Sequence, residues 1–292
     1  MTSVQMTAVT SADEFGAALL SDAEHFLNHA VEQQASVWRV LHSGHWFSPA
    51  WLTVSFYYWA YFLALTVTRL VGRSVAWVDG ESLKALKKLA PPVKSPPGPG
   101  TYRTAAGPML SATMREVEIR KDNKKAHAAV WALLFDRFQS LAVTHNCDRG
   151  TTLEDRVFYA LSSSGKRLGQ DWPSALRNLV NYRAGFAYDT VIHVGSLGSF
   201  AFVKVSESNS IHDVVERFET AMEQAVINPS IANNVRPYLN LLVELTFLLN
   251  SAVFDLYGEL GARYSLDGRW NDQRRRFLRE RGLDLSNGLW PS

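Results

Sequence analysis

Cysteine is almost missing from this chain. Among 292 residues only Cys147 is present, so no internal disulfide can form and stability has to come from burial. An excess of charge is missing too: 30 lysines and arginines face 28 acids, a net charge of +2. Such a balance gives no global pull on a polyanion and confines any anion site to a local patch. The opening MTSVQMTAVTSADEF lacks the basic and apolar stretches of a secretory signal, so a cytoplasmic location is expected. No internal repeat is visible. Ser162-Ser163-Ser164-Gly165-Lys166-Arg167 comes nearest to a phosphate loop, but Ala160 stands where a glycine is required and Arg167 where Ser or Thr is required. It is expected to be a short loop that offers two cations, Lys166 and Arg167, to a phosphate. His25 with His29, and His145 with Cys147 and Asp148, lack the further ligands of a metal centre, and neither a metal nor another cofactor is expected.

What the chain has in quantity is apolar surface: 47% of residues are hydrophobic and 12% aromatic, ample for a large core. The densest stretch is WLTVSFYYWAYFLALTVTRL, Trp51 to Leu70. Ser48 and Pro49 supply an N-cap oxygen and a first helical residue, while Arg69, Gly72 and Arg73 give a cationic last turn and a residue tolerant of positive φ. The run therefore reads as one helix, with Ala60, Ala64 and Val67 as a narrow stripe for close packing and large side chains on the remaining sides. A helix apolar nearly all round is a core helix or a membrane span. Thr53, Ser55, Thr66, Thr68 and the aromatic residues in its middle favour the core, no second segment of this kind is expected, and no membrane association follows.

Taken in order, residues 1–10 are expected to be frayed, and Ser11 with Glu14 forms a capping box that opens a helix whose core face runs from Phe15 through Ala23, Leu27, Ala30 and Val31 to Leu41. A short helix over 81–89 precedes a Pro/Gly-rich loop at 91–110. A helix is expected from about Ser111, charged over 115–125 and regular over 126–143, then a helix at 153–161 and one starting at Pro173 or Ser174. The alternating segments 190–194 and 200–205 read as a small hairpin. Helices over 212–226, 235–264 and 270–281 complete the chain. The expected architecture is mainly α: a helical bundle with extra C-terminal helices and one β-hairpin. It divides into an N-terminal helical half (1–90), the loop (91–110) and a C-terminal helical half (111–292) that together make one composite domain.

One helix stands out chemically. In Trp172 to Arg183, Leu176, Leu179 and Val180 take the apolar side and leave Arg177, Asn178, Asn181 and Tyr182 on the other, with Arg183 at its edge. DAEHFLNHA and SFYYWAYFLALTVTRLVGR together resemble the paired helices of the HEPN superfamily. Arg177-Asn178-Leu179-Val180-Asn181-Tyr182 resembles that family's later element, an arginine followed five positions on by histidine or, in one variant, by an (Asp/Asn)-Tyr pair. The resemblance implies a HEPN-like all-α bundle that forms a homodimer and binds RNA in a composite cleft. It further implies metal-independent endoribonuclease chemistry in a toxin or antiviral defence module. Arg177 would stabilise charge on the phosphorane, Asn178 would position, and Tyr182 takes the place of the acid–base histidine. Asn181, Arg183, Lys166 and Arg167 would contact RNA. A phenol with a reference pKa near 10 is a poor base at neutral pH. Arg39 to His45 and Arg120 to His127 also fit the loose spacing, but 21 arginines and eight histidines supply about 1.7 such pairs by chance, so neither is informative. The alternative function is that of a non-catalytic helical interaction or sensor protein whose cleft holds a partner chain or nucleotide. On a purely structural reading, Asn and Tyr of 177–183 brace neighbouring backbone and the arginines pair with acids such as Asp171, Glu154 or Asp189.

Overall fold

A computed structural model describes residues 5–42, 48–89, 98–148, 152–182, 210–264 and 269–281. The chain is mainly α, and its helices surround α2 (Pro49–Leu70), as its composition requires. The Ser48 side chain accepts from the Trp51 N–H and Pro49 is the first helical residue. Gly72 at φ 77° turns the chain away at the other end, a conformation open to a residue without Cβ. Trp59, Ala60, Leu63 and Ala64 are fully buried and Val67 nearly so. Around α2 pack α1 (Ala12–His42), α4 (Ala126–Thr144), α6 (Trp172–Tyr182) and α8 (Val235–Tyr264). Outside these lie α5 (Leu153–Leu168) and α7 (Ile211–Ile227), which pair with α4 and α8, and α9 (Arg269–Glu280), which lies on α1. One apolar core joins both helical halves, from Leu27 on α1 to Leu278 on α9.

The second layer departs from expectation. Gln5–Ser11 is strand β1 rather than irregular, Arg73–Val78 is β2, Gly100–Met109 is β3 and Met114–Lys121 is β4. They form an antiparallel sheet in the order β1-β4-β3-β2. The Pro/Gly-rich loop thus gives way to a strand at Gly100, and the helix expected from Ser111 is a strand over 114–121. The reason is a period of two inside a charged segment. Val117 and Ile119 turn inward onto Met6, Tyr102 and Leu83, the last from α3 (Gly80–Leu89), while Glu116, Glu118 and Arg120 alternate with them on the opposite, more open face. Arg103 ties the sheet to the bundle through Asp122 and, at 3.7 Å, Asp136 on α4. The hairpin expected at 190–205 lies outside the described residues.

Two further expectations are corrected. Ser162–Arg167 is not a loop but part of α5, which runs on to Leu168. Gly165 sits there because α4 comes too close for a side chain: a Cβ would lie 2.6 Å from the Phe135 ring. A second helix also passes a membrane span's test of length and apolarity, since α8 carries enough leucine over Val235–Gly261 to outweigh Glu244. The apolar windows of α2 and α8 are each 72% buried within the protein, the pattern of core helices. Glu244, 1% exposed, is held there by Arg217 of α7 at 2.8 Å.

Candidate functional site

Helix α6 divides as its sequence implies. Trp172, Leu176 and Val180 are buried, Asn178, Asn181 and Tyr182 are exposed, and Arg177 lies at the boundary. Its guanidinium reaches three polar side chains. One terminal nitrogen donates to Asn178 Oδ1 at 3.0 Å and Tyr182 Oη at 3.1 Å, the other to Tyr58 Oη on α2 at 2.6 Å. The same group lies 5.1 Å from the Tyr182 ring centroid and 5.5 Å from that of Tyr58, within range of cation–π attraction. Burial works against its charge, but the hydrogen bonds and charges of Tyr58 and Tyr182 outweigh burial and raise its pKa. Among the described residues no carboxylate pairs with Arg177, and its Nε is buried without a partner. The expected pairing with Asp171 or Glu154 is therefore not formed, and Asp189 lies outside the described residues. A cation ringed by neutral acceptors and aromatic faces keeps its charge for an external anion.

Behind Arg177 stands a histidine that sequence reasoning set aside. His127, in the first turn of α4, places Nδ1 2.7 Å from Tyr57 Oη. Tyr57 Oη also lies 3.2 Å from Ser174 Oγ on α6 and accepts from Trp131 Nε1 at 3.3 Å. The imidazole stacks on Tyr61 with centroids 4.2 Å apart and planes 6° apart. Burial first, and then the charge of Arg177, lowers the His127 pKa, so the ring is neutral at physiological pH. Burial pushes the Tyr57 phenol up to about 12, against hydrogen bonds from Ser174 and Trp131 and the charge of Arg177. Two proton placements satisfy this network. In one, Tyr57 donates to Nδ1 and leaves Nε2–H. In the other, Nδ1–H donates to Tyr57, whose own hydrogen goes to Ser174, and Nε2 is left as a free lone pair.

The other expected contacts do not converge on this cluster. Arg167 on α5 is bonded to Glu223 of α7 at 2.5 and 3.1 Å, and Lys166 beside it faces solvent. Asn181 is exposed on α6, and Arg183 lies outside the described residues. Arg120 points to Glu118 on its own strand at 2.8 Å, so the spacing that linked it to His127 means nothing, although His127 itself matters. Among the described residues no group of three or more His, Cys, Asp or Glu is placed to hold a metal ion. His29 bonds Glu32 at 3.3 Å and lies against Phe62, and Cys147 donates to Asp155.

Sequence reasoning missed Tyr57, Tyr58 and His127. A usable signal existed in the two adjacent tyrosines inside an apolar helix, since buried phenols need partners; nothing in the spacing says which partners. No family model matches the chain, and no curated protein or solved structure is significantly similar to it.

Proposed function

We propose that this is a HEPN-like RNA-binding protein that takes a backbone phosphate at Arg177 and cleaves the adjacent linkage, with His127 replacing the histidine absent from the α6 motif. The observation that carries the reading is a buried-edge arginine with no carboxylate partner among the described residues, sharing a tyrosine network with a neutral histidine. His127 Nε2 takes the proton from the ribose 2′-OH. The 2′ oxygen attacks phosphorus, and Arg177 stabilises the charge that grows on the phosphorane oxygens. The bond to the 5′ oxygen breaks and leaves a 2′,3′-cyclic phosphate. Tyr182, whose oxygen accepts from Arg177, keeps its hydrogen to donate to the leaving oxygen. As in the family it resembles, the protein would act as a homodimer with the two α6 helices facing one cleft.

The test is incubation of the purified chain with total tRNA, wild type beside Arg177→Ala, His127→Asn and Tyr182→Phe. Cleavage by the wild type alone, to cyclic phosphate ends, supports the reading. Binding that needs Arg177 without any cleavage assigns the protein to the non-catalytic alternative. Cleavage that survives in His127→Asn refutes the role given to that histidine.

A further inference from the structure

Away from Arg177, helices α2, α4, α5 and α8 enclose a cavity of about 220 Å³. Its walls are apolar, with Leu248 on one side and Phe138 and Phe158, ring centroids 6.1 Å apart, on another. Three carboxylates also line it: Glu154 from α5, and Asp255 and Glu259 one turn apart on α8. They feel one another, because burial and then, after the opposing hydrogen bond from Ser251, the charges of Glu259 and Glu154 raise the Asp255 pKa. Among the described residues the only cation in the lining is Arg137, whose Nε is buried without a partner. Among the described residues none of these four charges forms an ion pair within 4.0 Å. Three negative groups against one positive group, at the edge of an oily space, leave a net negative potential that no ion pair among the described residues answers.

We propose that this cavity binds a small organic ammonium: an apolar body of about one aromatic ring against Phe138 and Phe158, joined by a short arm to a cation among Glu154, Asp255 and Glu259. Size and sign both fit. An apolar cavity of roughly 150 Å³ takes up benzene, so this one has room for a ring and a two-carbon arm. An ammonium ion supplies the donors that three carboxylates lack.

Isothermal titration of the whole chain near neutral pH with 2-phenylethylammonium, 2-phenylethanol and 3-phenylpropanoate separates charge from shape. The ammonium should bind at least tenfold more tightly than the alcohol, and the carboxylate most weakly. Asp255→Asn combined with Glu259→Gln, both only partly covered by the fold, should bring the ammonium down to the affinity of the alcohol and leave the alcohol unchanged. Val157→Phe, which fills the space from α5, should weaken all the ligands. Equal affinities, tightest binding of the carboxylate at Arg137, no binding at all, or indifference to Val157→Phe would each overturn the assignment. The wild-type ranking decides the question even if a variant fails to fold.

Discussion

Replacing Tyr57 by Phe removes one oxygen and leaves the ring stacked as before. That oxygen is 2.7 Å from His127 Nδ1, 3.2 Å from Ser174 Oγ and 3.3 Å from Trp131 Nε1. Trp131 is fully buried and Ser174 is 6% exposed, so neither can turn to water. A net hydrogen bond is worth about 1 kcal/mol, and a buried donor left without an acceptor costs about 1–3 kcal/mol. With the indole N–H stranded and the histidine bond lost, the substitution should destabilise the fold by about 2–4 kcal/mol. That is a large part of a typical folding stability of about 5–15 kcal/mol. Urea unfolding at neutral pH measures it, with an unchanged m-value showing that the two end states are the same. Tyr61→Phe is the internal control. Tyr61 is 9% exposed and its pKa is raised by burial, but its hydroxyl makes no hydrogen bond among the described residues. It should cost no more than about 0.5 kcal/mol. If Tyr57→Phe is as mild as Tyr61→Phe, the network does not hold His127 in place and the proposed chemistry loses its support.

His127 has a folded pKa below its ordinary 6.5, so the unfolded chain binds its proton first; stability should be full above about pH 6.5 and fall as pH drops towards the folded value. Urea midpoints across that range should show a limb that His127→Gln flattens, and Arg177→Met should move the histidine's NMR titration midpoint upward. Arg217→Met strands Glu244, which is 1% exposed and already held above the ordinary carboxylate range by burial. The loss should be about 3 kcal/mol by chemical denaturation. Since a carboxylate with a raised folded pKa favours folding at low pH, the deficit relative to wild type should shrink on acidification. Gly165→Ala gains about 1 kcal/mol of helix propensity but drives a methyl to 2.6 Å from the Phe135 ring. A net loss of up to about 2 kcal/mol is expected, given overpacking penalties of about 1–3 kcal/mol, and a variant more stable than the wild type would refute that tight contact.

The helices were legible because each carries its own signal. Ser48, Pro49 and Gly72 bracket α2, and the 3.6-residue period of α1, α4 and α8 needs only neighbouring residues to read. The sheet was hidden because β4 buries just Val117 and Ile119 amid charge, and a strand's stability lies in partners far along the chain, such as the pairing of Val117 with Ala8 and Ala106. Gly165 misled for a related reason: within its own segment a glycine beside serines reads as a turn, and only the nearness of Phe135 explains it.

The sequence by itself determined that the chain is a cysteine-poor, mainly helical protein built around α2, and that α6 gathers Arg177, Asn178 and Tyr182 on one face. These are short-range facts, set by periodicity and capping within a single helix. Only the tertiary structure decided that Arg177 turns to Tyr58 rather than to an acid, and that His127 bonds the adjacent Tyr57, 70 residues away in the chain. A hydrogen bond between distant segments depends on how three helices pack, and no local spacing encodes that.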